Sequence, residues 1–171
     1  SNLAYKYMGI ISMAFIIIIT PFWSAATEAY QKNDINWIKK TIKGLNKIWL
    51  ILVVFGFVLF FSSKFIYKIW IGDKIVPEFS ILFLSLVYFA LNMHYSLYGY
   101  ILNGMGKIRF QLIITSVLAV IFIPSAIILT RLYGLEGIFF SLIFVALTNS
   151  IWSNIQLKKI INNKAIGLWN K

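Results

Sequence analysis

Five long stretches of this chain carry no formal charge: residues 7–27, 48–63, 79–106, 110–130 and 137–157. A helix needs about 20 predominantly apolar residues to cross the hydrocarbon core of a bilayer, within a range of about 17–25. Four of the five meet that length directly. The second has 16 uncharged residues. The apolar stems of Lys47, Lys64 and Lys68 can lie along the core with their ammonium groups at the interface, so 46–69 is long enough. The pattern predicts an all-α, polytopic transmembrane helix bundle. Its five spans fall at about 3–30, 46–69, 78–103, 109–132 and 137–158.

Composition supports that class. The chain is 60% hydrophobic and 12% charged, with a mean hydropathy of +0.84. A soluble domain carries about 25% charged residues, so this chain has too little polar surface to cover a globule in water. Lipid must act as solvent for much of its exterior. The net charge of +11 does not point to nucleic acid, because the basic residues sit in short links between apolar runs. Lysines in such links reflect topology and contact with anionic membrane lipids. Cysteine is absent, which excludes disulfides and thiolate metal sites. The chain begins at Ser1, in an apolar segment with neither a basic leader nor a cleavage pattern. It reads as a piece of a longer protein without a signal peptide.

Lysine and arginine set the orientation. Lys32, Lys39, Lys40, Lys43, Lys47, Lys107, Arg109, Lys158, Lys159, Lys164 and Lys171 fall on one side of the five spans. Lys6, Lys64, Lys68, Lys74 and Arg131 fall on the other. The positive-inside rule puts the larger group in the cytoplasm, so the C-terminus is expected there. The links are short. Gly72–Asp73 lies before Pro77, which is suited to the first position of the third span. Asn103-Gly104-Met105-Gly106 and Tyr133-Gly134-Leu135-Glu136-Gly137 read as tight turns.

The segment from Thr20 to Lys47 joins spanning and surface characters. Pro21 interrupts an uncharged run and frees the carbonyl of Ile17. Beyond it, Ile35, Ile38, Ile42, Leu45 and Trp49 recur at helical spacing, with Lys39, Lys40, Lys43 and Lys47 on another arc. An apolar face beside a lysine face predicts a helix lying at the cytoplasmic surface over 32–46, meeting the second span at an elbow. Residues 159–171 are expected as a cytoplasmic tail.

Polar and small residues in a membrane bundle face other helices or a cavity, not lipid. The first span carries Thr20, Ser24, Thr27 or Glu28, and Gln31 on one stripe. The third carries Ser85, Tyr88, Asn92, Tyr95 or Ser96, Gly99 and Asn103 along almost its whole length. Such a stripe either glues helices together or lines a wet cavity, and for the third span both readings stand. Ser24, Thr27, Glu28, Tyr88, Asn92 and Tyr95 are the cavity candidates. His94, one position off that face, reads as a bonded structural histidine. Gln111, Thr115 and Ala119 in the fourth span, and Ser141, Asn149, Trp152 and Gln156 in the fifth, read as packing faces. Pro124 is expected to kink the fourth span. The second span has almost no stripe beyond Gly56 and Ser62–Ser63, and is expected to be the most lipid-exposed.

Catalytic chemistry is not visible. The acids Glu28, Asp34, Asp73, Glu78 and Glu136 do not pair at a spacing suited to acid–base or metal work, and no HExxH or GxSxG occurs. One histidine and no cysteine cannot build a typical zinc site. No catalytic residue, cofactor or metal is expected. Glu28 has three readings: a helix-end carboxylate paired with Lys32, a cytoplasmic gate, or a proton-coupling site.

The order of features is similar to a known family. Pro21-Phe22-Trp23-Ser24-Ala25-Ala26-Thr27-Glu28-Ala29-Tyr30, then Lys32-Asn33-Asp34 and Trp37-Ile38-Lys39-Lys40, resembles the second-half signature of bacterial polysaccharide flippases. These are the O-antigen and capsule repeat-unit exporters of the multidrug/oligosaccharidyl-lipid/polysaccharide exporter superfamily. Asn103-Gly104-Met105-Gly106-Lys107-Ile108-Arg109-Phe110-Gln111 resembles the turn between two later helices. Pro124 and Tyr133-Gly134-Leu135-Glu136-Gly137 fall where that family has a kinked helix and a tight turn. The resemblance implies most of one lobe of a two-lobe exporter in the bacterial inner membrane, with an N-terminal lobe of the same protein as partner. It implies a lipid-linked oligosaccharide substrate, carried on undecaprenyl diphosphate and moved by alternating access. The helices resembling 1–31 and 79–103 would line the cavity. Two alternatives stand beside it: a small-molecule exporter of the same superfamily, and a non-transporting membrane subunit. A diphosphate calls for cations, and only Lys6, Arg131 and the lysines of the inner links could supply them.

Overall fold

The computed structural model describes residues 2–71 and 78–170. The expected Gly72–Asp73 link and the helix-starting role of Pro77 lie outside the described residues, as do Lys74 and Lys171. The described chain is all-α: α1 (Asn2–Ile19), α2 (Phe22–Gln31), α3 (Ile35–Ile71), α4 (Phe79–Gly104), α5 (Arg109–Tyr133), α6 (Leu135–Ile161) and a short 3-10 turn, Gly167–Asn170. Five helical segments are long and apolar enough to cross a membrane: Leu3–Gln31, Ile35–Ile69, Phe79–Gly104, Arg109–Tyr133 and Leu135–Ile161. This is a multi-pass membrane protein.

Pro21 breaks the first span. α1 ends at Ile19 and α2 begins at Phe22, and the Thr20 hydroxyl turns back to donate to the Ile16 carbonyl at 2.6 Å. The proline lacks the N–H that would have continued the ladder. Pro124 acts differently, because α5 runs unbroken through it. The Ser125 hydroxyl donates to the Phe122 carbonyl beside it, at 2.9 Å.

Three helices stop in the same way at the lysine-rich end. Asn33 (φ 54°), Gly106 (φ 71°) and Asn163 (φ 55°) are left-handed. Each is followed by an N–H that reaches back five residues: Asp34 to Ala29, Lys107 to Leu102, and Lys164 to Lys159, at 2.8 to 2.9 Å. Each is a Schellman stop, which bonds carbonyls that a helix end leaves orphaned. Asp34 also starts the next helix, its carboxylate accepting the Trp37 N–H at 2.9 Å.

The expected elbow is replaced by continuity. α3 is a single helix of 37 residues, about 55 Å long at a rise of about 1.5 Å per residue. No break separates its basic part from its apolar part. Between Ile35 and Ile71 there is no proline to cause one. The apolar face that suggested a surface helix packs on protein instead. Ile38 and Leu45 are buried, Asn46 donates to the Tyr98 hydroxyl at 3.2 Å, and Trp49 Nε1 donates to the Ala90 carbonyl at 2.8 Å. Lys39, Lys40, Lys43 and Lys47 point outward and are exposed.

α4 is the centre of the bundle, packing against α1, α2, α3 and α6, while α5 packs against α6. The core joins Met8, Phe15 and Ile19 to Leu82, Leu86, Met93, Leu97 and Ile101, all buried. The most exposed helix is α5, not the second span as expected. Its only buried residue is Leu118, whereas α3 buries Ile38, Leu45, Gly56, Ser63 and Tyr67. α5 is peripheral because one helix neighbour covers one arc, and Leu112, Val120, Ile123 and Leu132 face outward. An apolar exterior of this kind suits lipid.

Candidate functional site

The polar stripe of α4 divides into dry and half-open positions. Ser85 is buried and its hydroxyl donates to the Ile81 carbonyl at 2.7 Å. Gly99 is also buried, with the Tyr95 ring 3.7 Å from where a β-carbon would stand. Tyr88, Asn92, Tyr95, Ser96 and Asn103 are half-buried. Asn92 Nδ2 donates to the Tyr88 hydroxyl at 3.1 Å. Gln111 Nε2, from α5, donates to the Tyr95 hydroxyl at 3.0 Å. Tyr5 of α1 stacks on Tyr88 with ring centroids 6.2 Å apart, and Tyr95 lies 5.8 Å from the Trp152 ring. Gln111 Oε1 is buried without a hydrogen-bond partner. A buried acceptor of this kind is rare unless water or a ligand completes it.

Tyr88, Asn92 and Tyr95 therefore form one row, extended by Tyr5 and Gln111. By sequence alone Gln111 reads as part of a packing face, and nothing singles out Tyr5. The α1–α4 contact that brings Tyr5 to Tyr88 is tertiary, and nothing local signals it.

The first-span candidates are elsewhere. Thr27 bonds the Gly104 carbonyl at 2.8 Å, nine residues past Tyr95, or about 14 Å along the helix. Ser24 is exposed. Glu28 accepts from Lys32 at 2.6 Å, and the two side chains are 67% and 70% exposed. The bonded carboxylate raises the Lys32 pKa above its ordinary value. Glu28, Lys32, Asp34 and Trp37 line an open recess of about 230 Å³. The pair takes the helix-end form, and Glu28 lacks the burial a proton-coupling acid needs.

His94 hydrogen-bonds through Nδ1 to the Ser150 hydroxyl and packs against Trp49 and Tyr98, with centroids 5.0 and 4.9 Å away. It ties α4 to α3 and α6. In α6, Ser141, Asn149, Trp152 and Gln156 are buried, and Asn149 accepts from Trp152 Nε1 at 2.8 Å. That face packs, as expected. Among the described residues, no three metal-ligating side chains gather.

The chain matches no protein-family model, no curated protein and no solved structure.

Proposed function

We propose that this chain is most of one lobe of an exporter that moves an undecaprenyl-diphosphate-linked oligosaccharide across the bacterial inner membrane by alternating access. The carrying observation is the row Tyr5–Tyr88–Asn92–Tyr95–Gln111, uncharged, aromatic and amide-bearing, with Tyr5 exposed and the other four half-buried. Rings with an apolar face and a polar tip, beside amides that both donate and accept, suit sugar rings with their hydroxyls. The sequence resemblance supports the same reading.

In this reading the chain is a carrier, not a catalyst. The lysine-rich end and the C-terminus face the cytoplasm. An N-terminal lobe faces the α4 row across the cavity, and the outward lysines of α3 contact anionic lipid. Deleting the gene in its bacterium is expected to abolish surface polysaccharide and leave the lipid-linked repeat unit at the inner leaflet. The full protein in proteoliposomes is expected to move that lipid to the opposite leaflet. Normal polysaccharide after clean deletion counts against the reading.

A further inference from the structure

The end of the chain folds back onto the lysine-rich face. The Trp169 ring lies against Phe110 with centroids 4.2 Å apart, and Lys159 Nζ sits 4.0 Å from its centre. Gln156, wholly buried, donates through Nε2 to the Trp169 carbonyl at 3.3 Å and to the Lys107 carbonyl at 3.5 Å. Lys107 Nζ donates to the Asn170 carbonyl at 2.8 Å and lies 5.8 Å from the Tyr30 ring. One short turn thus meets α2 through Lys107 and Tyr30, the α4–α5 link, the start of α5 and the end of α6.

We propose that Gly167–Asn170 is a latch. Trp169 clamps the lysine-rich ends of α5 and α6 together and, through Gln156 and Lys107, holds the α4–α5 link; this face opens when Trp169 leaves its seat. Two features make the contact releasable. Trp169 is only half-buried, and the partners of Lys107 and Lys159 in the seat are a carbonyl and π-faces rather than carboxylates. Without the tail, Lys107 loses the Asn170 carbonyl and Lys159 the Trp169 ring that stabilise them. The latch acts on the helix ends whatever the bundle carries.

The test uses the absence of cysteine from the chain. Asn103→Cys places a thiol in the last turn of α4, where Asn103 is half-buried. Its labelling rate by a charged maleimide is measured in membranes opened to both faces. Trp169→Ala is expected to raise that rate about five- to tenfold, the scale of a lost aromatic and cation–π contact. Trp169→Phe, which keeps a ring, is expected to stay near the parent rate. A second reporter, Leu135→Cys at the opposite end, is expected to keep its rate in all three chains. Equal Asn103→Cys rates in parent and Trp169→Ala overturn the latch, as does a rise with Trp169→Phe equal to that with alanine. A matching rise at Leu135→Cys also overturns it, because the bundle has then loosened as a whole.

Discussion

The Thr27 hydroxyl donates to the Gly104 carbonyl at 2.8 Å, joining positions 77 residues apart. The contact exists because position 104 has no side chain. A β-carbon there would stand 2.5 Å from the Trp23 carbonyl oxygen and 3.0 Å from the Ala26 β-carbon. Close approach through small residues is how membrane helices gain packing without a hydrophobic drive between them. Here it sets α2 against the end of α4.

Gly104→Ala is therefore expected to destabilise the bundle by about 1–3 kcal/mol, the range for overpacking. Thr27→Val removes the hydroxyl that Gly104 shares with the Trp23 carbonyl and is expected to cost about 0.6 kcal/mol, typical of a bond between membrane helices. Unfolding titrations in mixed micelles measure both. Equal losses would mean that the hydrogen bond, not the close approach, holds the crossing.

Two further glycines separate rigid from yielding neighbours. At Gly137 a β-carbon would run into backbone, the Leu129 carbonyl and the Thr130 nitrogen. At Gly56 it would meet the ends of Leu86 and Ile11, which can rotate away. Gly137→Ala is expected to cost more stability than Gly56→Ala, in the same titration. The reverse order would contradict the tight α5–α6 turn.

The fold class was legible because charge-free length is a property of the sequence itself, and Pro21 announced its break locally. The course of α3 was not. Ile38, Leu45 and Trp49 make the same periodic pattern whether they meet lipid headgroups or the side of α4, and only the tertiary contact through Trp49 and Ala90 decides. The row Tyr88–Asn92–Tyr95 was readable from its spacing. Thr27 and Ser24 were placed with it because they share a helical stripe with Thr20. The break at Pro21 and the crossing at Gly104 put them near another end of α4. The exposure of α5 depends on its having one main helix neighbour, which periodicity does not report.

Asp34 and Glu28 lie six residues apart and are expected to respond differently. Asp34→Ala removes the cap from the Trp37 N–H and is expected to cost about 1 kcal/mol of stability. Glu28→Gln breaks an exposed pair and is expected to leave both stability and surface polysaccharide near normal. A strong transport loss with Glu28→Gln, restored by a charge swap on another lobe, would instead make Glu28 a gate.

Orientation is testable with single cysteines at Asn33, Lys107 and Asn163, all at the lysine-rich end. In intact cells an impermeant thiol reagent is expected to miss all three, and in inverted vesicles to reach exposed Asn33 and Asn163. Labelling from outside intact cells would reverse the topology.

Whether the α4 row is wet is tested most directly by a cysteine scan of residues 85–99 in the full-length protein. Labelling by a small charged reagent is expected with a period of about 3.6 residues. Peaks are expected at 88, 92 and 95, with low rates at Ser85 and Gly99, which the bundle already buries. Lipid-linked oligosaccharide should slow labelling at the three peaks. A uniformly unreactive scan would contradict a wet row and make it a dry packing face.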